Sequence, residues 1–227
     1  MKRILMYILF GGLNFSIAVA QNSNPSMADA ATSQNSEYLT AMEAVVADIQ
    51  SAPFGEDLTP YANTVERIAA AEPKEWLPLY WASFCYMLRS FTEPVVEKKD
   101  MLLEKAEFQV AMAEKLTSNN DEIEVLKANI ASARMAVDPQ NRWQKYGPIS
   151  GAAMAKAKSI NPANPRVALL EAQGVFYMPE AYGGGKQKAL PLIKVAIDQF
   201  KAFKPSSSIM PNWGLDAAEF MLAEAQK

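Results

Sequence analysis

Three glycines followed by a lysine, Gly183-Gly184-Gly185-Lys186 within MPEAYGGGKQKALPLIKV (178–195), have the composition of a phosphate-cradling loop. Such a loop needs G-x4-G-K-[ST] directly after a strand, so that amides surround the phosphates and a hydroxyl binds magnesium. Here Lys186 is followed by Gln187, the first-glycine position is not glycine, and the preceding residues have helical periodicity. The glycines are therefore read as a bend between two helices of one hairpin, where positive φ ends a helix. Whether this loop binds a ligand stays open.

Other chemistry is sparse. The chain has no histidine, which removes Ser-His-Asp and Cys-His pairs, imidazole bases and His-ligated metals. The single cysteine, Cys85, lies among aromatic and aliphatic residues in WASFCYML and is read as a small core residue. With one cysteine, no intramolecular disulfide forms. Asp121, Glu122 and Glu124 read as acids at the positive end of a helix rather than as a metal cluster. Glu104, Glu107 and Glu114 alternate with Lys98, Lys105 and Lys115, the pattern of a solvated, ion-paired helix face. The residues thus call for no catalytic group, cofactor or metal. The alternative is a hydrolase or carbohydrate-acting enzyme on a helical scaffold, using paired carboxylates.

The elements that must position these side chains are helices. Of 227 residues, 50% are apolar and 21% charged, an ordinary globular balance, and the net charge of −3 gives no footprint for nucleic acid. Residues 1–20, MKRILMYILFGGLNFSIAVA, have a basic head, an apolar stretch and small residues at Ala18 and Ala20, the layout of a signal peptide cut after Ala20. Removing Lys2 and Arg3 from the 22 basic residues leaves 20 against 25 acidic, a net charge near −5. No later segment has the length and apolarity of a membrane span. A periplasmic or secreted protein is expected, with a flexible leader over 21–35 and a helical domain over 36–227.

Apolar residues recurring every three or four positions predict helices near 36–51, 59–72, 75–91, 96–117, 121–137, 144–161, 165–178, 187–203 and 212–226. Thr59-Pro60 and Asn164-Pro165 each place a capping side chain before a proline, and Asn120 caps the helix that follows it. Small residues recur with one spacing: Ala106, Val110, Ala113; Ser150, Met154, Ala157; Ala189, Ile193, Ala196. Ala128 follows Ala113 by 15 residues, as Ala172 follows Ala157. Alanine at a helix crossing lets two backbones approach, and larger neighbours fill the gaps.

These residues resemble the tetratricopeptide repeat (TPR), with its small residue in the first helix, A-x3-F-x2-A in the second and a proline soon after. Pro162 stands at that last place, whereas the position after Ala113 is Ser118. The intervals from Ala113 to Ala157 and on to Ala196 are 44 and 39 residues, longer than the TPR period of about 34. The surplus falls in VDPQNRWQKYGP and MPEAYGGGKQ, read as loops inside the hairpins. NPRVALLEAQ, PEAYGGGKQKALPL and FKPSSSIMPNWG are further similar to a family of exported TPR-like proteins common in Bacteroidetes. The resemblance implies an all-α superhelix of helical hairpins with a C-terminal capping helix. It lends no catalytic residues.

Carrying the repeat's inward-facing positions onto this chain selects Trp76, Ser83, Tyr86 and Met87, then Glu122, Asn129 and Ser132, then Arg166, Gln173, Phe176 and Tyr177. A concave surface of aromatic area with a few polar groups suits a protein or peptide partner. The expected function is non-catalytic binding, as a scaffold or adaptor of the bacterial cell envelope.

Overall fold

The computed structural model describes the backbone of residues 27–227 and the side chains from residue 35 onward. The signal-peptide reading of 1–20 lies outside those residues. Among the described residues the chain is all helical: α1 (Met27–Ser51), α2 (Thr59–Ala71), α3 (Leu77–Thr92), α4 (Val96–Leu116), α5 (Asp121–Val137), α6 (Pro139–Ile160), α7 (Pro165–Tyr177), α8 (Lys186–Ala202) and α9 (Leu215–Ala225), with a 3-10 turn at Glu180–Tyr182. Helix α1 begins inside the stretch expected to be a leader.

The ends of the helices follow from local chemistry. Asn120 Oδ1 accepts from the amides of Glu122 and Ile123, and Asn164 Oδ1 accepts from that of Arg166. Thr59 departs from expectation. It is the first residue of α2, and its amide and hydroxyl both donate to Asp57 Oδ1, at 3.0 and 2.6 Å. The VDPQNRW segment is a larger correction, because it is helix and not loop. Asp138 caps it through the amide of Asn141, and Pro139 takes the first helical position, where its missing N–H costs nothing. Pro148 then sits inside α6 and leaves the carbonyl of Gln144 without its helical donor.

Consecutive helices pair, with α3 against α4, α5 against α6 and α7 against α8 the closest packed. The recurring small residues mark where they cross. Ala106, Ala113, Ala128, Ala157, Ala172, Ala189 and Ala196 are fully buried. Ser83 Oγ donates to the Ala106 carbonyl at 2.7 Å, and Ser150 Oγ to that of Ala128 at 3.0 Å. A hydroxyl reaches a neighbouring helix's carbonyl only where the two backbones nearly touch.

The apolar interior has three parts. The largest spans α1 to α5 around Met42, Tyr80, Trp81 and Met87; the second joins α7, α8 and α9; a small cluster of Val125, Ala157 and Val167 lies between them. Cys85 belongs to the first, where burial pushes its thiol up to about 12 and leaves it inert at neutral pH.

Candidate functional site: the α1/α2 groove

The side expected to bind a partner is crossed by the chain itself. Residues 203–214, between α8 and α9, run over the first helix of every hairpin. Ser208 Oγ donates to Glu43 Oε1 of α1 at 2.6 Å. The Trp81 indole of α3 donates to the Ile209 carbonyl at 2.9 Å, and the Trp213 indole donates to the Tyr80 hydroxyl at 2.8 Å. The Trp213 ring lies 5.0 Å from that of Phe84 and packs on the Val125–Val167 cluster of α5 and α7. Gly214 sits at φ 115°, and a Cβ there would meet Phe200 and Leu169 at 2.7 and 2.8 Å. Only glycine lets the strand of chain lie this close.

Beneath this strap Arg166 is fully buried. Its Nε and Nη2 donate to the two carboxylate oxygens of Glu122, at 2.7 and 2.5 Å, and its guanidinium lies over the rings of Phe203 and Trp213. Burial pushes the Glu122 carboxyl above its usual range, and Arg166 pulls it back. Asn164 donates to both Asp121 and Glu122, while Glu124 pairs with Lys127 and Lys156. The acidic start of α5 is thus an ion-pair junction between hairpins.

The inward-facing residues selected from the sequence divide accordingly. Ser83, Tyr86, Met87, Glu122, Arg166 and Phe176 are buried, Trp76, Asn129, Ser132 and Gln173 are half-buried, and Tyr177 is 68% exposed. Ser132 meets the Ser150 hydroxyl at 3.0 Å, and the Tyr86 hydroxyl donates to Glu66 at 3.0 Å. Two acids read as solvated partners of their own helix's lysines reach α5 instead: Glu107 takes a two-pronged bond from Arg134, and Glu114 accepts from Lys127. The spacing along α4 shows neighbours on one helix and is blind to the next.

At the glycine-rich loop, Gly183 and Gly185 have φ of 93° and 111°. A Cβ on Gly184 would lie 2.2 Å from the Met178 carbonyl oxygen. The glycines therefore turn the chain from α7 into α8, and Lys186 is paired with Glu224 at 3.1 Å.

Open surface of another kind lies between α1 and α2. Helix α2 packs more heavily on α3 than on α1. What remains is a mainly apolar groove of about 590 Å³, walled by Ala41, Ala44 and Val45 of α1 and Ile68 and Ala71 of α2, within the usual range for small-molecule sites. Tyr61, Thr64, Arg67 and Asp48 supply its polar groups. The Tyr61 ring packs on the large core while its hydroxyl donates to Glu56 Oε1 at 2.9 Å, a bond that holds the phenol's pKa above its ordinary value. The inward-facing residues selected from the sequence begin at Trp76 and include none from α1 or α2, which is why the groove was missed.

No protein-family profile and no curated protein matches the chain. Among solved structures it is similar to the HusA haemophore from Porphyromonas gingivalis, at 37% identity and a TM-score of 0.74, over 85% of this chain and 94% of that one. The chain belongs to the family of that haemophore. An all-helical, non-catalytic binding protein of Bacteroidetes type is what this kinship supports. No described helix is long and apolar enough to cross a membrane.

Proposed function

We propose that this chain is an exported, non-catalytic carrier of a haem-type tetrapyrrole, held in the α1/α2 groove. The observation that carries the reading is the 37% identity to a haemophore along nearly the whole of both chains. The groove adds support: it is open, largely apolar and of suitable volume, as the flat face of a porphyrin requires. The basic head and small residues of 1–20, with a cut after Ala20, support delivery to the periplasm or beyond. The buried alanines and serine hydroxyls at successive helix crossings support a TPR-like superhelix over 36–227 with α9 as its cap.

A protein or peptide partner on the concave side is the second reading. It is favoured by the strap, since at Ile209 and Trp213 α3 receives a non-helical segment bearing apolar anchors. In the carrier reading that surface is already filled, and the cargo takes the groove.

Titration of the purified mature chain with haemin, followed by absorbance, tests the carrier reading. Ala44 is exposed and lines the groove, so Ala44→Trp should fill it without disturbing the core and weaken haemin binding at least tenfold. Absence of binding by the wild type would refute the carrier, and unchanged binding by Ala44→Trp would put the cargo elsewhere.

A further inference from the structure

Helix α1 is held from two sides. Its Ala41, Ala44 and Val45 line the groove. Glu43 stands two residues from Ala41, about 200° away around the helix axis, on the flank turned from the groove. That flank is where the strap takes hold: Ser208 Oγ donates to Glu43 Oε1 at 2.6 Å. The next residue, Ile209, is buried in the same core as Met42 and Val46 of α1. The strap therefore grips α1 by a polar tie and an apolar anchor, opposite α2.

The groove exists because α1 stands off from α2. Its walls are small and apolar, and two apolar faces left open to water are driven together. A hold on the opposite flank of α1 resists that closure. The hold is also a light one. Among the described residues, no main-chain amide of 204–209 donates to the helices beneath. The strap is fixed instead by Ser208, by the Ile209 carbonyl under Trp81 and by Trp213 on Tyr80. Segments held by so few bonds open before the rest of a fold does.

We infer that the strap sets the width of the α1/α2 groove. The Ser208–Glu43 bond and the Ile209 anchor keep α1 off α2, and lifting the strap lets α1 close and expel the cargo. This rests on the carrier reading. Neither Ser208 nor Glu43 lines the groove, so both are positioning residues. Strap and cargo are then coupled sites, and the linkage runs both ways: a cargo that keeps α1 in place also keeps the strap down.

The experiment measures haemin affinity by absorbance in wild type, Ser208→Ala, Glu43→Ala and the double variant. Ser208→Thr and Glu43→Gln, which keep a hydroxyl donor and a carbonyl acceptor, are measured beside them. Each alanine variant should bind haemin at least threefold more weakly, and the double variant no more weakly than either alone, since all three lack the same bond. The two conservative variants should stay within twofold of the wild type. Exchange of the Trp81 indole proton requires the strap to lift. It should slow when gallium(III) protoporphyrin IX, a diamagnetic stand-in for haemin, fills the groove, and should slow less in Ser208→Ala. Unchanged affinity in the alanine variants, losses that multiply in the double variant, or an indole exchange rate indifferent to cargo would overturn the linkage and leave the carrier reading standing. Failure of the wild type to bind haemin would remove both.

Discussion

Arg166 and Glu122 face each other two-pronged in the interior, guanidinium nitrogens 2.7 and 2.5 Å from the carboxylate oxygens, and so tie α7 to α5. The large core ends near α5 and the second begins at α7, so this pair bridges the seam between them. Removing one partner strands a buried charge, which costs about 3–5 kcal/mol. Arg166→Met should fall in that range by urea unfolding, and Arg166→Met with Glu122→Leu should recover part of the loss. A single variant within 1 kcal/mol (about the net value of one ordinary hydrogen bond) would show that the seam is held by the strap alone.

Acid should open a different junction. Asp100 of α4 accepts from Arg142 of α6 and Arg134 of α5, and these bonds hold its carboxyl well down, at about 2. Its folded value is thus below its unfolded one, so the contribution is complete above pH 4 and disappears as pH falls towards 2. With solvent screening this amounts to about 1 kcal/mol. Melting temperatures from pH 5 to pH 2 should fall less steeply in Asp100→Asn than in the wild type. Parallel curves would count against it.

Crossing alanines offer a third test. Ala128 and Ala172 have no exposed surface, and Ala128 receives the Ser150 hydroxyl on its carbonyl. Either residue changed to leucine should cost about 1–3 kcal/mol through overpacking. Unchanged thermal unfolding in both would mean that the hairpins tolerate separation at these points.

The helices and their crossings were legible because they depend on local pattern. Periodicity, Asn120 and Asn164 as caps, and alanines at fixed spacing all act within one or two turns. Asp138-Pro139 misled for the same reason: the pair reads as part of a loop, yet it caps α6 and opens its first turn. The strap was not legible. FKPSSSIMPNWG has no period, and its position depends on Trp81 and Tyr80, which lie more than 100 residues earlier in the sequence. Carrying inward-facing positions from a repeat pattern likewise assumed an open concave side, and Arg166 lies instead beneath Phe203 and Trp213. At the groove the missing signal was the unequal grip of α2 on its two neighbours, which no single segment encodes.

Ile209 completes a core whose other buried members all come from residues 38–133. A chain threaded outward from its N-terminus therefore delivers most of that core early and its last piece only after α8 has emerged. Until then the Trp81 indole has no acceptor and its surroundings are open to water, a state that invites holding factors and proteases. Because Ile209 follows α8, the first-made core closes only when a segment made much later has been delivered.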